Sequence, residues 1–164
     1  MLNPSGLAAG TRETAGGLDI NRDYRKRQAA ETRAHALWLE KQPVPELFFS
    51  LHEDWESTGI YLYEINCLHG PTIAAHMLRA AEPFFEIEPE PIIDDHAVRS
   101  PGWIYHLNKP DMPDGWPEAI YAAHLGCPVS YTLETPSSKE LRKRIDCHKA
   151  MVLEGLKSFE FSST

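Results

Sequence analysis

The chain has 164 residues, 42% of them hydrophobic and 10% aromatic, which suits one packed domain and excludes a disordered or fibrous polypeptide. A formal net charge of −8 and a pI near 5.4 set nucleic acid aside as a partner, because that surface recruits concentrated Lys and Arg. Cys67, Cys127 and Cys147 form no C-x-x-C pair, no apolar run nears the roughly 20 residues that span a bilayer, and no signal pattern follows Met1. The expectation is a soluble protein of the reduced cytoplasm with no membrane partner.

Residues 1–17 are rich in Gly, Ala, Thr and Ser around Asn3-Pro4-Ser5-Gly6 and read as turns and loop. Asn21 and Arg22 follow a glycine-rich turn and could form a clamp, since guanidinium binds a carboxylate through two parallel hydrogen bonds that an amide can support. Arg22 as a plain solvated arginine is the alternative. Residues 29–41 are good helix formers with Ala30, Ala34, Leu37 and Trp38 at helical spacing, so a helix should pack there on a sheet. His35 within it reads as a surface or half-buried residue and not a ligand, and Pro43 and Pro45 close the helix.

Leu47 to Glu56 is an apolar run that stops at His52, Glu53, Asp54 and Glu56. It reads as a buried central strand that delivers polar side chains to its end, where open α/β sheets collect ligands, with His52 as candidate metal ligand. A second strand is expected over 60–65 and a helix over 71–81 with Ile73, Met77 and Leu78 as its apolar stripe. His69 and His76 read as structural. Residues 82–101, acidic and proline-rich, read as a long loop in which Asp94-Asp95-His96 is a solvated cluster. Residues 103–107 form a strand candidate, residues 118–125 a short helix closed by Gly126, and residues 127–133 a strand ending at Glu134-Thr135-Pro136. Ser137 and Glu140 form a capping box for a helix running to about residue 158, with Leu141, Ile145, His148, Val152 and Leu156 as its inner stripe.

Asn3-Pro4-Ser5-Gly6, Gly10-Thr11-Arg12, Gly17-Leu18-Asp19-Ile20-Asn21-Arg22, the strand-end His52 and Thr132-Leu133-Glu134-Thr135-Pro136 stand in this order along nearly the whole chain. In that arrangement the sequence resembles the zinc carboxypeptidase family. The resemblance implies an α/β fold with a mixed central β-sheet flanked by helices, residues 1–164 being one partial catalytic domain. It implies zinc as cofactor with His52 as a ligand, and Glu134 as the general base acting on the zinc-bound water. It implies that Arg12 polarises the scissile carbonyl, and that Asn21 and Arg22 grip the terminal carboxylate of a peptide or small carboxylate-bearing substrate.

The family draws two further zinc ligands from a His-x-x-Glu motif, and none of the eight histidines here has glutamate three residues later. The chain therefore looks like the carboxyl-terminal part of such an enzyme. Three functions remain open at this level: a metallocarboxypeptidase-like hydrolase completed by an upstream segment, a related zinc deacylase of small N-acyl amino acids, and a metal-free pseudoenzyme or binding module for carboxylate-ended ligands. Strands formed upstream would be absent, which predicts an exposed sheet edge and association with another copy.

Overall fold

A computed structural model describes residues 2–68 and 70–162, so His69 lies outside the described residues. Its centre is a four-stranded mixed sheet of β1 (Leu47–Asp54), β2 (Tyr61–Asn66), β5 (Trp103–Tyr105) and β6 (Val129–Pro136), in the order β1-β6-β2-β5. β1 runs parallel to β6, β6 antiparallel to β2, and β2 parallel to β5. A two-stranded ribbon, β3 (Ile92–Ile93) with β4 (His96–Ala97), stands apart from the sheet. The mixed sheet flanked by helices is the architecture expected.

Successive strand residues point to opposite faces, and this alternation divides the sheet chemically. Val129, Tyr131 and Leu133 of β6 and Leu62 of β2 face the main core. They are covered there by Met77 and Leu78 of α3 (Ala74–Ala81) and by Cys147 and Met151 of α5 (Leu141–Ser162). The other face carries Ser50, His52 and Asp54 of β1, Thr132 and Glu134 of β6, and Tyr61 and Tyr63 of β2. Next to the polar part of that face sits α4 (Glu118–His124), through Ile120 and Ala119 packed on Ile65. The apolar stripe expected for α3 is buried as read.

Four local expectations fail for identifiable reasons. Residues 4–9 form a helix, α1 (Pro4–Ala9), because Asn3 caps it: its Oδ1 accepts the Gly6 N–H at 2.8 Å and its Nδ2 donates to Arg12 O at 2.8 Å. β1 is an edge strand with its outer side half open, not a buried central one; the central places belong to β6 and β2. In α2 (Ala30–Leu39), Thr32 and Ala36 are buried while Leu37 and Trp38 face outward. The helix packs on Tyr24 and on Tyr121 of α4.

α5 starts later and turns differently than the sequence pattern suggests. β6 continues through Pro136, and the Ser137 N–H donates to Asp54 O at 2.7 Å, so Ser137 closes the β1–β6 end instead of capping a helix. The buried side of α5 is Cys147, Met151 and Ser158, with Val152 partly buried, whereas Leu141, Ile145 and Leu156 face outward. Gly155 permits the orientation: a Cβ there would stand 2.8 Å from Met77 Sδ and 2.8 Å from Phe49 Cζ, so the helix approaches α3 and β1 here without room for a side chain.

Candidate active site

The register of β1 against β6 pairs His52 with Glu134, and β2 adds Tyr61 opposite Glu134 on the same face. These side chains border an open cavity of about 530 Å³ that is also lined by Arg12, Asn21 and Arg22. All five sequence-derived site residues therefore meet in one cleft, although they come from the loop after α1, a 3₁₀ turn at Ile20–Arg22 and two strands.

His52 is fixed by a chain of hydrogen bonds. A carboxylate accepts, so the Ser50 hydroxyl donates its proton to Glu118 Oε2 at 2.5 Å, and its oxygen is left to accept from His52 Nε2–H at 2.9 Å. That choice makes Nδ1 the unprotonated nitrogen of the ring, the form in which an imidazole binds metal. Burial pushes the His52 pKa down; Glu118 opposes this, and Arg12 and Arg22 add to it. The ring is accordingly neutral near pH 7. Behind the strand, the ring Nε2 of His148 lies 3.1 Å from His52 O and 3.1 Å from Thr135 Oγ1, which pins α5 to both site strands and makes His148 a structural residue.

Glu134 is the electrostatic counterpart. Desolvation in the cleft wall, reinforced by Asp54 and Asp94, raises its pKa to about 8, against the pull of Arg12. Its neighbours Tyr61 and Tyr63 donate to Asp54 at 3.1 Å and to Asp94 at 2.8 Å, so both phenols are oriented by carboxylates at the rim.

Arg12 is held through Nε by Asp19 Oδ2 at 2.8 Å, and Asp19 also accepts the Asn21 N–H at 2.9 Å. Arg22 Nη1 donates to Asn21 O at 3.0 Å. The Asn21 side chain has a second task that the sequence did not announce: its Oδ1 accepts the Glu118 N–H at 2.9 Å at the start of α4. The clamp residues are thus tied to the same helix whose Glu118 orients His52. Neither Ser50 nor Glu118 is marked by a motif. Ser50 could have been found from strand alternation, since it lies two residues before His52.

A catalytic zinc takes three protein ligands and keeps one open position. Among the described residues, the group of three close donors is His96, His106 and Asp111, and it does not include His52. His52 has the chemistry of a zinc ligand, but the residues around it do not complete a site, so no reaction step is routed through zinc here.

No family model matches the chain, and no curated protein sequence matches it. Solved structures do. A Shewanella amazonensis protein bearing the name "putative metallopeptidase" superposes with a TM-score of 0.78 at 23% identity, over 96% of this chain and 61% of its own. A Shewanella denitrificans protein of the same name gives 0.77 at 21% identity, over 95% of this chain and 58% of its own. A Burkholderia cenocepacia metallo-carboxypeptidase gives 0.58 at 18% identity, over 96% of this chain and 43% of its own. The chain spans about 60% of the length of the first two. No helix of the described residues is long and apolar enough to cross a membrane. The chain thus shares the fold of these solved structures, the mixed α/β architecture that the sequence resemblance implied.

Proposed function

We propose that this chain forms the substrate-recognition and general-base part of a metallocarboxypeptidase-like hydrolase that acts on the carboxyl-terminal bond of peptides. The observation that carries the reading is the convergence of His52, Glu134, Arg12, Asn21 and Arg22 on one cavity. An enzyme that removes terminal residues must recognise a chain end, and an arginine with a flanking amide does so through the carboxylate. In its ionised form, which predominates only above about pH 8, Glu134 accepts the proton of the attacking water, and its conjugate acid returns one to the leaving amine. Arg12 faces the oxygen on which negative charge develops. His52 serves as one zinc ligand, and the remaining ligands come from outside these 164 residues.

One observation favours a second reading, a carboxylate-binding module without hydrolysis: among the described residues no three donors gather around His52. A zinc deacylase of N-acyl amino acids would use the same clamp on a shorter substrate.

Calorimetry with an N-acylated dipeptide and its carboxamide analogue tests the clamp common to these readings. The acid should bind at least about tenfold more tightly than the amide, and Arg22→Ala should abolish the difference. Equal binding of acid and amide would remove the basis for all three. Hydrolysis of the acid by a form that includes the further ligands separates the enzyme from the binding module.

A further inference from the structure

His96, His106 and Asp111 lie on the wall of the same cavity, and none of them has a part in the proposed reaction. Three separate segments bring them together. His96 opens β4 immediately after a two-residue hairpin turn whose central residues, Asp94 and Asp95, have φ of 48° and 63°, the left-handed pair that a tight hairpin of this twist requires. Its direction is therefore fixed by the ribbon, contrary to the solvated loop cluster read from sequence. His106 follows β5, with its N–H bonded to Glu64 O at 2.8 Å, and Asp111 comes from the next turn. One ligand atom from each of the three, a ring nitrogen or a carboxylate oxygen, lies within 4.8 Å of the other two.

The anchoring of His106 adds a second observation. A carbonyl accepts, so the contact of 2.6 Å from His106 Nδ1 to Leu107 O places a proton on Nδ1. Nε2 of the same ring faces Asp111 Oδ1 at 3.2 Å and Oδ2 at 3.3 Å. A positive charge belongs between ring and carboxylate at that distance, and either a proton on Nε2 or a metal ion supplies it. His96 Nε2 approaches the same carboxylate at 3.7 Å. Imidazole anchored through one nitrogen on a backbone carbonyl, with the other aimed at a shared centre, is the usual arrangement of a metal-bound histidine. Ligands about 2.0–2.1 Å from a tetrahedral ion stand about 3.3 Å apart, close to the two imidazole–carboxylate separations seen here.

We infer that His96, His106 and Asp111 form a binding site for a divalent transition metal, separate from His52, with open coordination positions for a ligand in the cleft. Two imidazoles and one carboxylate select zinc, cobalt or nickel over magnesium and calcium, which prefer oxygen. The metal would tie the β3–β4 ribbon to the end of β5.

The test is titration of the chelator-treated chain with cobalt(II), followed by visible absorption and by melting temperature. One equivalent should bind with the bands of a nitrogen- and oxygen-ligated ion and should raise the melting temperature. His106→Ala and Asp111→Asn should each weaken binding by at least about tenfold, while His52→Ala leaves it unchanged. Asp111 is largely exposed, so its replacement keeps the test valid should the His106 variant fold poorly. Absence of cobalt binding would overturn the proposal and leave an ordinary ion pair. Retention of binding in Asp111→Asn, loss in His52→Ala, or stronger binding of calcium would overturn it as well. None of these outcomes bears on carboxylate binding by Arg22, so this proposal and the functional one fail separately.

Discussion

His52 and Glu134 are direct partners in the parallel register of β1 and β6, and their side chains leave the sheet on the same face. Residues 82 positions apart in sequence thus become neighbours through strand pairing alone, and the cleft is built around them.

The Ser50–Glu118 chain sets the His52 tautomer. In Ser50→Ala the ring loses the acceptor for its Nε2 proton, and the two neutral tautomers should become mixed. Nitrogen-15 NMR of the imidazole should report an Nε2–H form in the parent protein and intermediate shifts in the variant, with a stability loss on the order of 1 kcal/mol. An unchanged ring spectrum would show that Ser50 does not position His52.

Stability should respond to pH through Glu134. Its folded pKa, raised to about 8 from the ordinary 4.5, means that the native state holds its proton more firmly than the unfolded chain does. Stability from this group is full below about pH 4.5 and falls as pH rises toward 8. Glu134→Gln removes that penalty. The variant should match the parent near pH 4.5 and exceed it by at least about 1 kcal/mol at pH 8–9 in denaturant titrations. A gap that narrows with rising pH would contradict the assigned environment.

Glu64 is fully buried on the opposite face of β2 and accepts from Tyr131 at 3.0 Å, Thr72 at 2.9 Å and Asn66 at 3.3 Å. Glu64→Ala leaves these donors without their acceptor in the interior and should cost on the order of 3 kcal/mol in chemical denaturation. A loss under about 1 kcal/mol would mean that water or a rearranged network takes its place.

The outer side of β1 has no strand partner among the described residues, and Leu51 within the strand and Trp55 just after it are exposed at 54% and 76%. We propose that a second copy of the chain covers this edge, as unpaired strands commonly recruit another. Light scattering should show dimers or larger species that Leu51→Lys shifts toward monomer. A monodisperse monomer of the parent chain would contradict the proposal.

Much of the fold was legible because its elements have strong local signals. The β-branched and aromatic run over Ile60–Ile65, the Gly126 stop after α4 and the stripe of Ile73, Met77 and Leu78 all lie where periodicity put them. Position within the sheet was not legible. The apolar start of β1 looked central, yet the sheet order that makes it an edge depends on pairing with a segment far along the chain. The expected face of α5 differs from the observed one because the close approach at Gly155 turns Cys147 and Met151, and not Leu141, Ile145 and Leu156, toward the core.

The five candidate site residues were recognisable from motif order, since each stands at the end of a turn or strand. Their supports were not. Glu118 and Asn21 are 97 residues apart, and no local pattern links them. The cluster of His96, His106 and Asp111 escaped the sequence reading for the same reason, as its geometry depends on a hairpin turn formed by two aspartates.

The central claim is that this cleft holds a carboxylate-ended chain between Arg22 and Glu134, and a crystal structure of the protein with an N-acylated dipeptide tests it most directly. The account predicts the terminal carboxylate on the Arg22 guanidinium and Asn21 amide, with the adjacent carbonyl between Arg12 and Glu134. A ligand found outside the cleft, or one whose carboxylate points away from Arg22, would contradict it.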